Sequence, residues 1–238
     1  LRYVEDAGGA VRGVVWYQGE SDAAAEALKV YGRNFRHFVA DLRKSLGAQL
    51  PVISTQLNRW VGEPNEQSDA GWENMRQLQR HLAKSLRNVF LLSTLDLGLS
   101  DGIHTNSLGN VAIGQRAASA ALGGVYGRDV KFRHPNCVSV RRKTARRIEL
   151  HFEHVDERLH FENMRPEQFP FAVRDTQGDV PVAGWSIPKP DRFEIRLGRA
   201  LMGHAVVVGA PTTYPPLIVP QDISGHRPML AFTQKVES

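Results

Sequence analysis

Three short apolar runs in the first half of the chain, residues 11–17, 51–57 and 89–95, are each followed by a longer segment of different periodicity. The runs are rich in β-branched and aromatic residues and end in polar turns, which reads as buried strand. In the longer segments apolar residues return every three or four positions, the spacing of one helix face. Leu28, Tyr31, Phe35, Phe38, Leu42 and Leu46 show it most clearly, and Gly47 ends the pattern. Trp72, Met75, Leu78, Leu82 and Leu86 mark a second helix after a loop rich in Gly, Pro, Asn and Asp. Residues 107–122 form a third, stopped by Gly123-Gly124. Strand and helix alternating three times predict a parallel sheet covered by helices on both faces.

In open sheets of this kind ligands bind outside the carboxyl ends of the strands. Two polar blocks fall there: Gln18-Gly19-Glu20-Ser21-Asp22 after the first strand, and Asp101-Gly102-Ile103-His104 after the third. Both should lie on one rim. A carboxylate three residues before an imidazole, on a turn, can fold back to hold one ring nitrogen and leave the other free to move protons. The competing reading is local: an Asp in such a turn satisfies nearby backbone N–H groups, and Gln18 and Glu20 cap the helix that follows them.

Near Gly127 the pattern changes. Ile148-Glu149-Leu150-His151-Phe152-Glu153 and Phe193-Glu194-Ile195-Arg196-Leu197 alternate strictly, as half-buried antiparallel strands do. Val206-Val207-Val208 and Met229-Leu230-Ala231-Phe232 are shorter strand candidates, and a small antiparallel β-sandwich is the expected architecture. The 238 residues, 42% of them hydrophobic, suffice for a full core, and no apolar run approaches the roughly 18 residues of a membrane span. No membrane partner is expected.

The net charge of +5 invites a nucleic-acid partner, but the excess is local. Residues 128–147 hold eight Lys/Arg (Arg128, Lys131, Arg133, Arg141, Arg142, Lys143, Arg146, Arg147) against Asp129, a net +7 that leaves the rest at −2. Phe132 is the only aromatic among them, so a solvated connector is expected and nucleic acid is not. The single cysteine, Cys137, excludes an internal disulfide and reads as a buried thiol. His151, His154 and His160 fit no metal-ligand spacing and are expected to face solvent.

Gly13-Val14-Val15-Trp16-Tyr17-Gln18-Gly19-Glu20-Ser21-Asp22-Ala23 resembles the Trp-Tyr-Gln-Gly-Glu block of sialate O-acetylesterases and related carbohydrate acetylesterases, members of the SGNH hydrolase superfamily. Asp96-Leu97-Gly98, Asp101 to His104, Asn106 and Gly114 look like that family's final catalytic block, and Trp72-Glu73-Asn74-Met75-Arg76-Gln77-Leu78-Gln79 is similar to the helix between the two. The closing stretch, with Asp222-Ile223-Ser224-Gly225, resembles the family's β-domain loosely. The resemblance implies a three-layer SGNH-type (flavodoxin-like) core at residues 1–127, incomplete at its N-terminus, and a β-sandwich accessory domain at 128–238.

It also implies an activity: hydrolysis of acetyl esters on sugars through an acyl-enzyme, without cofactor or metal, in an extracytoplasmic setting. His104 would be the general base and Asp101 its orienting partner, with Gln18 and Gly19 beside the oxyanion and Glu20 holding the loop or the histidine side of the site. A serine hydroxyl needs a neighbouring imidazole to take its proton, and the tetrahedral oxyanion needs fixed donors. The family's serine lies in a Gly-Gln-Ser-Asn-type block well before the Trp-Tyr-Gln segment, and nothing in residues 1–15 matches it. The chain then reads as the carboxyl-terminal portion of a longer esterase, or as a homologue that has lost hydrolysis and binds carbohydrate. A rival remains: Gly19-Glu20-Ser21-Asp22-Ala23 is one residue short of a Gly-x-Ser-x-Gly elbow, which makes Ser21 the alternative nucleophile.

Overall fold

A computed structural model of the chain describes residues 2–63, 65–162 and 168–237. A short helix, α1 (Arg2–Asp6), precedes β1 (Val14–Trp16), α2 (Ala25–Leu46), β2 (Val52–Thr55), α3 (Glu66–Ser85), β3 (Val89–Leu92) and α4 (Ser107–Ala120), which runs on into a π-helical turn, Ala121–Val125. The three strands form a parallel sheet in the order β1-β2-β3, with Val52 opposite both Val14 and Val89. Successive strand residues face opposite sides. Val52 and Val89 therefore pack with Tyr31, Phe35, Trp72, Met75 and Leu82 of α2 and α3, while Ile53, Phe90 and Leu92 pack with Ala117 and Ala120 of α4. The result is the expected three layers.

The structure extends the sequence reading at two places. Helix α3 begins six residues before its first large apolar residue, because Asn65 accepts the Ser68 N–H at 2.8 Å and the Ser68 hydroxyl accepts the Asn65 N–H at 3.3 Å. A polar first turn carries no apolar periodicity, so only this reciprocal cap marks it. Helix α1, five residues long, has no such pattern either.

The second half comprises β4 (Asn136–Thr144), β5 (Arg147–Glu153), β6 (Leu159–His160), β7 (Phe171–Asp175), β8 (Gly178–Asp179), β9 (Val182–Lys189), β10 (Arg192–Leu197), β11 (Ala205–Gly209), β12 (Gln221–Asp222), β13 (Arg227–Pro228) and β14 (Phe232–Glu237). Instead of two separate sheets packed as a sandwich, eight of these strands make one continuous sheet, β8-β7-β11-β14-β4-β5-β10-β9, antiparallel except for the pair β14–β4. It curls upon itself: Phe171 on its second strand and Phe193 on its seventh have ring centroids 5.0 Å apart. Phe152, Phe161, Trp185 and Phe232 complete this aromatic core. A small sheet, β13-β12-β6, stands beside it.

The run 229–232, expected as a strand, enters strand geometry only at Phe232. Its first three residues are held at the end of the parallel sheet instead. Met229 N–H donates to the Pro220 carbonyl and Leu230 N–H to that of Pro135, and Gln56 both accepts from the Ala231 N–H (2.7 Å) and donates to its carbonyl (2.9 Å). One buried glutamine thus acts as a strand partner. Arg76, 1% exposed, reinforces the junction by donating to the carbonyls of Leu57, Asn58, Ala210, Thr212 and Thr213. Burial lowers its pKa to about 9, which leaves it charged at neutral pH.

Phe193→Ala is expected to lower stability by about 3–5 kcal/mol. Arg76→Met, which strands several buried carbonyls, is expected to cost on the order of 3 kcal/mol. Urea unfolding midpoints check both, and a change below about 1 kcal/mol for Phe193→Ala would mean the rings do not share a core.

Candidate active site

The loop after β1 turns back at Gly19, whose φ is 151°, and a side chain there would meet the Gln79 carboxamide at 2.9 Å. Gln79 explains the crowding. Its Nε2 donates to the Gln18 carbonyl at 3.1 Å and its Oε1 accepts the Leu57 N–H at 2.8 Å, so one α3 side chain straps the β1 loop to the end of β2. Gly71 lets α3 come this close, since a Cβ there would lie 2.0 Å from the Ala23 carbonyl oxygen.

The loop after β3 is organised by Asp101. One carboxylate oxygen accepts the N–H groups of Ile103 (2.8 Å) and His104 (2.7 Å), and the other lies 2.8 Å from Nδ1 of His104. One carboxylate therefore both satisfies the turn's backbone and reaches a ring nitrogen of the histidine. The backbone N–H of His104, then that of Ile103, then the ring hold the carboxyl down to about 2. The carboxylate fixes Nδ1 as the donor, which leaves Nε2 to the outside. The His104 side chain is 77% exposed, so that nitrogen is reachable.

The two loops meet. An open cleft of about 430 Å³ is lined by Tyr17, Glu20 and Ser21 from the first and by Ile103, His104, Thr105 and Asn110 from the second and the start of α4. Tyr17 Oη lies 3.1 Å from Thr105 Oγ1, and burial raises the phenol above its ordinary pKa while that hydrogen bond opposes the rise. Of the residues singled out from sequence, His104, Glu20 and Ser21 share this cleft, with Asp101 behind the histidine. Gln18 and Gly19 do not line it. The Gln18 carboxamide donates to Asp22 at 2.6 Å and faces a separate cleft of about 200 Å³ with Trp16, Tyr31 and Phe35. Gly19 is packed beneath Gln79.

Sequence reasoning passed over Asn58 and Thr105. Asn58 follows β2 on the same rim, and its Nδ2 donates to Thr105 Oγ1 at 3.0 Å. The strand-end rule that picked out the other two loops would have reached it. At the far end of the block, Asn106 caps α4 by accepting the Gly109 N–H at 2.8 Å, and Asp96 pairs with Arg116 through both oxygens.

Residues outside the cleft have structural surroundings. Cys137 is buried and its thiol is pushed up to about 12 by that burial, which makes it a poor nucleophile. His151 and His160 lie beside Asp191 (3.4 Å) and Glu162 (3.3 Å), and His154 beside Glu153. In the basic hairpin Arg141, Lys143 and Arg147 pair with Glu237, Glu149 and Glu194.

The His–Asp pair and the Trp-Tyr-Gln-Gly-Glu loop lie on one rim of the parallel sheet, and comparison with known proteins gives the chain a family. Residues 1–123 match the family of carbohydrate esterases described as sialic acid-specific acetylesterases, and the chain belongs to that family. A probable carbohydrate esterase of Arabidopsis thaliana is 31% identical over 119 residues, 48% of this chain and 42% of that protein. The crystal structure of a carbohydrate acetylesterase from Xanthomonas citri shares the fold, with a TM-score of 0.78 and 20% identity over 95% of this chain and 51% of that one. The chain spans about half the length of these relatives.

Because Asp101 titrates lower folded than unfolded, its contacts hold the loop above roughly pH 4 and are lost as pH falls through about 2. Side-chain carboxyl NMR should show a midpoint near 2. In His104→Ala the value should remain below the usual range, because the two largest causes are backbone N–H groups. A return to the ordinary value would mean the imidazole, and not the turn, sets it.

Proposed function

We propose that this chain carries the histidine and aspartate of a serine-type carbohydrate O-acetylesterase of the SGNH class, acting on acetyl esters of sugars. The observation that supports it best is the shared cleft: a ring held at Nδ1 by its own loop's carboxylate lines one cleft with Tyr17, Glu20 and Ser21 of the loop after β1. In this reading Nε2 of His104 takes the serine proton as the hydroxyl attacks the acetyl carbonyl. The imidazolium, stabilised by Asp101, then protonates the departing sugar oxygen. Water enters next: His104 takes its proton as the oxygen attacks the acetyl carbon, then returns that proton to the serine oxygen as the ester bond breaks and acetate leaves.

The oxyanion requires donors worth roughly 3–4 kcal/mol each. For Gln18 to be one of them its carboxamide would have to leave Asp22, which holds its Nε2 at 2.6 Å, and turn out of the separate cleft it now faces. Glu20 lines the cleft. The serine of this reading belongs to a segment outside the present sequence, as the family resemblance implies. A second reading has an observation of its own: Ser21 lines the cleft with His104, which supports it as an alternative nucleophile within the chain.

Release of acetate from acetylated monosaccharides and p-nitrophenyl acetate tests both, in this chain and in the longest reading frame that contains it. His104→Ala should lower kcat by about a thousandfold or more. If Ser21→Ala turns over normally, the external serine is the nucleophile; if it is inactive with an unchanged unfolding midpoint, Ser21 is. No acetate release from either form of the wild type would overturn the esterase reading.

A further inference from the structure

The Asp101–His104 pair is rigid within its own turn, yet nothing in that pair fixes where the turn stands relative to the β1 loop. Among the described residues, Asp101 bonds only Ile103 and His104. Anchorage must come from neighbours. Gly102 O accepts the Val61 N–H at 2.7 Å, and the Ser100 N–H donates to the His104 carbonyl at 2.8 Å, but neither reaches β1.

Thr105 does reach it. The residue directly after His104 is buried, 8% exposed, and its hydroxyl oxygen stands between Tyr17 Oη at 3.1 Å and Asn58 Nδ2 at 3.0 Å. Tyr17 follows β1 and Asn58 follows β2, so one hydroxyl ties the histidine loop to both strand ends. Asn58 is itself immobilised. Its carbonyl accepts from Trp72 Nε1 (2.8 Å) and Arg76 Nη2 (2.7 Å), and its Oδ1 from Arg59 Nη1 (3.3 Å). Arg59 is 2% exposed and spends its other donors on the carbonyls of Leu95, Leu97, Pro215 and Pro216. A line of fixed groups therefore runs from two buried guanidiniums through Asn58 to the residue beside the base.

We propose that Thr105 is a positioning residue: its hydroxyl, seated by Asn58 and Tyr17, sets the register of the His104 loop against the loop after β1. The proposal rests on the esterase reading for its kinetic consequence, and on the geometry alone for its structural one. A small displacement of a general base from its proton acceptor geometry costs rate and leaves substrate affinity nearly unchanged. Valine matches threonine in shape but removes the hydroxyl; serine keeps the hydroxyl and loses only a methyl group.

The test compares wild type, Thr105→Val and Thr105→Ser in the form of the protein that releases acetate, with unfolding midpoints recorded for each. Thr105→Val should lower kcat by about a hundredfold with KM within about threefold, and Thr105→Ser should recover kcat to within about threefold. Should the valine variant not fold, Tyr17→Phe, which removes one of the two bonds, should lower kcat about tenfold. An unchanged kcat in Thr105→Val, or a serine variant as slow as the valine one, would overturn the proposal. Amide hydrogen exchange of residues 101–104 gives a readout that needs no turnover: it should quicken about tenfold in Thr105→Val and not in Thr105→Ser. Exchange that does not change would also overturn the proposal. If the wild type releases no acetate, the esterase reading fails while the exchange measurement still decides the role of Thr105.

Discussion

Arg76 places a full charge in the interior, and every acceptor it finds is a backbone carbonyl. Removing a guanidinium from water is costly, and a single carboxylate would have been the shorter remedy. Five carbonyls drawn from two loops do something a carboxylate could not. The segment 210–216 has irregular backbone with positive φ at Ala210 and Thr212, so its carbonyls have no ladder to join. Arg76 and Arg59 supply the missing donors, and the loop folds onto α3 and the end of β2 as a consequence. The rim that carries the histidine is built on that bracket.

The same helix shows why so much polarity is tolerated inside. Along one block of α3, Trp72 bonds Asn58, Glu73 takes both arms of Arg174, Gln77 pairs with the backbone of Thr233 in both directions, and Gln79 bridges the β1 and β2 loops. Each of these polar side chains reaches a backbone group or a charged partner. Apolar packing of Trp72, Met75 and Leu82 holds the helix on the sheet, and the polar positions between them hold the curled sheet to the helix.

The parallel sheet, its three helices and the turn containing the dyad were legible because each has a local signature: periodicity in Leu28 to Leu46, a carboxylate three residues before an imidazole in Asp101 and His104. Alternation in 148–153 and 193–197 marked antiparallel strands correctly, but it could not say whether they close as two sheets or curl as one. That depends on which strands meet, and the pairing of β14 with β4 joins residues nearly a hundred positions apart. Gln56 and Arg76 were illegible for a related reason. A polar residue on a helix or after a strand reads as solvent-facing until the carbonyls it must satisfy are in place, and here they arrive from residues 210–231. Gln18 was read by its neighbours in sequence; its carboxamide answers to Asp22, four positions on.

The strand order of the curled sheet has a consequence for the order of events in making the protein. β14, the last of these strands in chain order, lies in the middle of the sheet, between β11 and β4. Until it is synthesised, β8-β7-β11 and β4-β5-β10-β9 are two unjoined pieces with facing open edges, and the aromatic core that spans them cannot assemble. Nascent chains halted before β14 would expose both edges to neighbours on the same message, which makes the interval before that strand emerges the one in which chaperone cover counts most.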